Sequence, residues 1–186
     1  QNERGRAPVS IGLQAVIETP AGLLAAASIA RADPRLTSIG LGCLDLAAAC
    51  GFAASVENLA APSQMVVVAG RADGSKARGL AGAVGNFSDF EAFRQLARRS
   101  RLMGLTEGGA IHPSQVPILN EEFGVSEVEI HQAQEILAMA QLHFSQGVGA
   151  FAYRGQMIDR PIVEAARHTL AIAEAVVAAR DRLSVT

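Results

Sequence analysis

Glu18, Asp45 and His112 are the residues of this chain whose types and settings could do chemistry. Glu18 follows the apolar run QAVI and precedes Thr-Pro, Asp45 closes LTSIGLGCLD, and His112 stands before Pro113 in LTEGGAIHP. Each reads as the carboxyl end of a β-strand, where βα proteins gather their functional groups. Carboxylates on neighbouring strand ends suit Mg²⁺, which takes one or two protein carboxylates and leaves its other positions to water and substrate oxygens. A structural role competes in every case. Asp45 could cap a helix beginning at LAAAC, and a His before Pro could be a hydrogen-bonded core residue.

The elements that must position these residues alternate in type along the chain. SIGLQAVIE (10–18) is strand-like and leads into TPAGLLAAASIARAD, with Thr19 as N-cap and Pro20 at the first helical position. LTSIGLGCLD (36–45) is a second strand, followed by LAAACGF and a helical segment from Val56 to Val68 that Pro62 should interrupt. ARGLAGAVGN (77–86) is a third strand, and SDFEAFRQLARRSRLMG is an amphipathic helix with Ser88 as N-cap and Glu91 three residues on. LTEGGAIHP (105–113) is a fourth strand, before a long helix opened by Ser126 with Glu129 in a capping box and closed by Gly147. Strand–helix alternation of this kind specifies an α/β protein with a parallel sheet. The end of the chain breaks the rhythm: GAFAYRGQMI (149–158) reads as a β-hairpin around Arg154-Gly155, and Asp159 caps a final helix. That helix carries Ile162, Ala166, Leu170, Ala173 and Val177 on one stripe, which asks for cover and suggests an oligomer.

Composition narrows the function classes. A chain of 186 residues that is 49% hydrophobic can bury one sizeable core. Sixteen basic against 18 acidic residues, a net charge of −2, leave no basic footprint for nucleic acid or an anionic membrane. Cys43 and Cys50 lie in an Ala-rich stretch and read as buried reduced thiols, no run of 18 apolar residues is present, and QNERGRAPVS has no secretory apolar core. These features lead us to expect a soluble cytoplasmic protein with neither membrane nor nucleic-acid partner. The Gly79, Gly82 and Gly85 spacing is not that of a dinucleotide loop. Arg94, Arg98, Arg99 and Arg101 could meet phosphates, but on a helix with Phe90, Phe93, Leu96 and Leu102 they read as a solvated outer face. His131, His143 and His168 lack metal-ligand spacing.

Four longer motifs occur in order: I-E-T at 17–19, G-x-x-D-L at 42–46, I-H-P-S-Q at 111–115 and M-I-D-R-P at 157–161. In that combination the chain resembles the second half of the citrate lyase β-subunit-like proteins of the HpcH/HpaI aldolase family, which includes malyl-CoA and citramalyl-CoA lyases. The resemblance implies a (β/α)8 TIM barrel, of which residues 1–147 would be the C-terminal half (strands five to eight) and 148–186 a hairpin-helix lid and oligomerisation segment. It implies Mg²⁺ held by Glu18 and Asp45, and it implies Asp159 as the catalytic residue that reaches a neighbouring subunit's site and handles a proton on the acetyl-type carbon. The implied partners are a CoA or acyl-carrier thioester, a small oxo-acid and further copies of the chain in a trimer or hexamer. The implied reaction is retro-Claisen cleavage of a citryl, malyl or citramalyl thioester, or its reverse. Relatives of this family begin with four further βα units, and many carry Glu, Asp and Lys where this chain has Leu44, Ala49 and Gly108. Those departures leave a non-catalytic or regulatory binding relative as the alternative.

Overall fold

The computed structural model describes residues 11–83 and 88–184. The polar opening segment 1–10 and the end of the expected third strand at 84–86 lie outside the described residues. The chain divides into two compact units, up to Phe123 and from Gly124 onward.

The first unit is built on a parallel sheet of β1 (Leu13–Ile17), β2 (Leu36–Leu41) and β3 (Lys76–Arg78), in that order. Ala15 pairs with Ile39 and Ile17 with Leu41, while Gly40 pairs with Arg78. Side chains alternate across a strand, so Ile17 and Ile39 share one face, where they pack with Ala26, Ala30, Val66 and Ala69. Ala26 and Ala30 come from the crossover after β1. Thr19 accepts from the Gly22 N–H at 3.1 Å and Pro20 opens α1 (Pro20–Leu24), as the local sequence dictates, but the helix breaks at Ala25 and resumes as α2 (Ala26–Ala30). The second crossover supplies α3 (Cys43–Cys50) and α4 (Val56–Ala72). Contrary to the expected interruption, α4 runs unbroken through Pro62. Its buried stripe of Leu59, Ser63, Val66 and Val67 holds the helix in place despite the lost donor.

The third and fourth strands are shorter than the sequence pattern suggests. β3 has three residues and ends at Gly79, whose φ of 119° no side-chain-bearing residue adopts readily. The fourth strand is reduced to a parallel bridge between Arg78 and Glu107, in which Thr106 N–H donates to Ala77 and Gly79 N–H to Glu107, both at 2.8 Å. Gly108 and Gly109 follow at once, and glycine weakens a strand. Beyond them a 3₁₀ turn (Pro113–Gln115) leads into α6 (Val116–Glu122).

α5 (Phe90–Leu102) packs on α6 through Phe93, Ala97, Ile118 and Leu119. Its N-cap is Asp89, which accepts from Ala92 N–H at 3.0 Å, and not Ser88 as the sequence suggested. Both residue types cap well, and the helix begins one position later. On the arginine face of α5, Arg98 and Arg99 are exposed as expected, while Arg94 and Arg98 also converge on Glu122 of α6, which is 8% exposed.

The second unit pairs α7 (Glu127–Ser145) with α8 (Arg160–Ser184) around the antiparallel hairpin of β4 (Phe151–Tyr153) and β5 (Gln156–Ile158). Ser126 and Glu129 form the anticipated capping box. Arg154 and Gly155 both have positive φ, 50° and 80°, as a two-residue hairpin turn demands. Ala140, Phe151, Ile158 and Val163 make the core. Glu135 of α7 clasps the turn, accepting from the Tyr153 hydroxyl and from Arg154 at 3.0 Å. Compactness groups α7 with the hairpin and α8. Among the described residues no helix is long and apolar enough to cross a membrane.

Candidate functional site

Glu18 leaves the sheet one residue past the paired Ile17 and Leu41, and across from it stands Gly42, whose N–H donates to the Ile17 carbonyl at 2.8 Å. The Glu18 side chain lies directly against this glycine. A Cβ on residue 42 would fall 2.4 Å from Glu18 Cγ and 3.1 Å from Oε1. Gly42 is also the N-cap of α3, so the carboxylate of Glu18 sits over the head of the helix whose first turn carries Asp45. Asp45 therefore does not end β2, which stops at Leu41; it occupies the third helical position. Nor does it cap the helix, since Gly42 takes that place without a side-chain bond. A carboxylate in the first helical turn is favoured by the helix dipole. Both Glu18 and Asp45 are exposed to solvent.

Cys43 anchors the start of α3 from below. Its thiol donates to the Leu80 carbonyl at 3.2 Å, which ties the helix to the loop after β3, and burial pushes the thiol pKa up. It behaves as a structural thiol, whereas Cys50, expected to be buried, is exposed.

Glu18, laid against Gly42, and Asp45, in the first turn of the helix that Gly42 opens, are hard oxygen donors of the kind that suit a divalent cation keeping several waters. Among the described residues no three His, Cys, Asp or Glu side chains gather as a metal cage. This chemistry suits Mg²⁺ better than Zn²⁺, which takes three or four protein ligands, most often His and Cys.

His112 is neither in the core nor on a strand end. It is exposed and caps the 3₁₀ turn, with Nδ1 accepting from Ser114 N–H at 3.3 Å and standing 2.7 Å from Ser114 Oγ. The buried member of the I-H-P-S-Q motif is Gln115, fully enclosed, whose Oε1 accepts from Ile111 N–H at 3.0 Å. Gly108 is closely packed: a Cβ would lie 2.6 Å from Leu119 Cδ2 and 3.1 Å from Phe123 Cε2, so those side chains would have to shift. In the second unit Asp159 is half-buried at the junction of β5 and α8, where its carbonyl accepts from Val163 N–H at 3.1 Å.

Pattern-reading missed Gly40, Gly42, Arg78 and Glu107. The glycines recur at alternate positions in IGLG, a spacing that puts Gly42, just past the end of β2, in line with the face that carries Gly40. Arg78 lies across Gly40 from the β3 side and faces Glu107 at 3.8 Å.

Residues 1–113 match the model of the family described as HpcH/HpaI aldolase/citrate lyase. The L-malyl-CoA/beta-methylmalyl-CoA lyase of Rhodobacter capsulatus is 35% identical over 170 residues, covering 80% of this chain and 52% of that protein. The (3S)-malyl-CoA thioesterase of a Cereibacter sphaeroides strain is 35% identical over 170 residues, covering 90% of this chain and 59% of its own length. Among solved structures, the CitE protein of Mycobacterium tuberculosis in complex with magnesium, acetoacetate and coenzyme A superposes with a TM-score of 0.72 at 28% identity, over 88% of this chain and 61% of that one. The chain thus spans about half the length of the curated relatives it matches.

Proposed function

The chain belongs to the HpcH/HpaI aldolase/citrate lyase family, and from that premise we propose that it carries the metal-binding and proton-handling half of a Mg²⁺-dependent carbon–carbon lyase acting on a 3-hydroxyacyl-CoA-type thioester. The observation that carries the proposal is the Glu18 carboxylate laid over Gly42 at the head of the helix that bears Asp45. In this reading the three parallel strands and the Glu107 bridge are the second half of a barrel, and the hairpin with α8 is its lid.

Glu18 and Asp45 would hold the ion, and Mg²⁺ bound there supplies a Lewis acid for the oxygens of the oxo-acid half. Cleavage breaks the bond between the hydroxyl-bearing carbon and the carbon next to the thioester carbonyl. The hydroxyl gives up its proton to solvent as its carbon leaves as the oxo-acid carbonyl, and the carbon next to the thioester carbonyl takes up a proton to become an acetyl-type group, so no net proton is consumed. Asp159 is the group assigned to that proton: a half-buried carboxyl on the junction of the lid hairpin and its helix. Citryl, malyl and citramalyl thioesters all have this connectivity.

The thioesterase relative supports a second reading, hydrolysis of the same class of thioester. Products separate the two. With malyl-CoA a lyase releases glyoxylate and acetyl-CoA, whereas a thioesterase releases malate and free CoA. The test uses the natural gene product that contains this chain, with malyl-, citramalyl- and citryl-type substrates and Mg²⁺. Asp159→Asn should abolish turnover while leaving Mg²⁺ binding and the melting temperature nearly unchanged, because Asn retains size and capping ability but cannot carry the proton. Asp159→Ala should cost about 1 kcal/mol of stability through the lost cap. A full rate with Asn at 159 removes the catalytic assignment. Absence of any thioester cleavage by the intact protein turns the reading to a binding relative that keeps the fold.

A further inference from the structure

The sheet face turned away from the helices carries a charge pattern that the carboxylate pair does not account for. Ile17 and Ile39 pack toward the helices, and Ala77 packs with Val67 of α4, so the alternate residues Val16, Gly40, Lys76 and Arg78 share the opposite face. β2 is bare there. At Gly40 a Cβ would lie 3.1 Å from Arg78 Cγ, so the Arg78 stem lies across β2 from one flank; at Gly42 the Glu18 side chain does the same from the other. Positions two apart on a strand are separated by roughly 6.6 Å. The Arg78 stem and the Glu18 side chain therefore lie over glycines two positions apart on one shelf.

Arg78 is poorly satisfied on that shelf. Its Nε is 3.8 Å from Glu107, which Lys76 also approaches at 3.9 Å, both beyond hydrogen-bond range. Two cations share one carboxylate, and the Arg78 side chain is only 29% exposed. A half-buried guanidinium with spare donors, whose stem shares the shelf with Glu18, is matched by a small anion with a planar two-oxygen head. We infer that Arg78 is a specificity-determining residue that receives the carboxylate of the oxo-acid. This rests on the lyase reading for the identity of the ligand, and on the shelf geometry for the residue.

The test is titration calorimetry on the natural gene product with Mg²⁺ and glyoxylate, pyruvate or oxaloacetate, followed by pyruvamide as the neutral counterpart of pyruvate. Arg78→Gln keeps the stem over Gly40 and removes the charge, and Arg78→Lys keeps a charge without the fork. Arg78→Gln should weaken oxo-acid binding about 10- to 100-fold. Affinities for Mg²⁺ alone and for pyruvamide should stay within about twofold, and Lys should recover part of the loss. Unchanged oxo-acid affinity in Arg78→Gln, or an equal loss for acid and amide, overturns the inference while the lyase reading stands on thioester cleavage. Oxo-acid binding lost in Arg78→Gln by a protein that cleaves no thioester leaves the inference standing and removes the lyase. A wild-type protein that binds none of the three oxo-acids overturns the inference, and thioester cleavage still decides the lyase reading.

Discussion

Gly42 does for the site what no side chain could do. Its φ of −82° and ψ of 88° demand no special backbone freedom, so its value lies in the missing Cβ, whose place Glu18 occupies. Gly42→Ala should rotate Glu18 off the shelf and weaken Mg²⁺ binding about tenfold, as loss of a supporting contact commonly does. Since Glu18 is exposed and free to swing away, the melting temperature should move by no more than a few degrees. Calorimetry with Mg²⁺ and a thermal melt check the two halves; a large melting shift with unaltered metal affinity would make Gly42 a packing residue only. Glu18 was legible in the sequence because a carboxylate directly after an apolar run can be read from one strand. Gly42 and Arg78 were not, because their roles arise between strands: a glycine matters here only when the register places Glu18 or Arg78 against it. Asp45 lies between these cases, its residue type apparent but its position shifted from strand end to helical turn once β2 stopped at Leu41.

Among the elements, most local signals translated, the Ser88 cap displaced to Asp89 being an exception, and lengths did not. The Thr19-Pro20 start and the Ser126–Glu129 box depend on residues within one helical turn of each other, and both formed. The extents of β3 and of the fourth strand depend on Gly79 and on pairing across the sheet, and α4 overrode Pro62 through its packed face. The tie between α5 and α6 is likewise tertiary. Hydrogen bonds from Arg98, at 2.9 and 3.0 Å, and from Arg94, at 2.7 Å, hold the Glu122 carboxyl below its ordinary pKa against the opposing effect of burial. A carboxyl lowered on folding contributes stability that is complete above its unfolded value, about 4.3, and is lost as pH falls through the lower folded value. Glu122→Gln should therefore cost about 1–2 kcal/mol at pH 7, a figure reduced because Arg98 is largely solvated. The difference between variant and wild type should shrink below about pH 4. Thermal melts of both proteins between pH 3 and 7 measure it, and a pH-independent gap would mean that shape rather than charge joins the two helices.

At the scale of the molecule, exposed apolar residues mark the surfaces that ask for company. In the second unit Val128, Leu142, Met157 and Val177 are each more than half exposed, while the α8 stripe is covered at Ala166 and open at Val177. A trimer or hexamer, as the family resemblance implies, would cover such positions. If assembly also delivers Asp159 to the site of a neighbouring subunit, two inactive variants should rescue one another. Glu18→Gln spoils the metal pair but keeps Asp159; Asp159→Asn keeps the metal pair but spoils the proton carrier. Each alone should be inactive. In a mixed oligomer formed by co-expression in equal amounts, a Glu18-intact site beside an Asp159-intact lid arises at about one interface in four, so about a quarter of wild-type activity should return. Donation within a single chain predicts none, because every chain then carries one lesion in its own site. Light scattering fixes the oligomeric state of the same preparations, and a monomer that nevertheless turns over would place Asp159 and Glu18 on one chain's account.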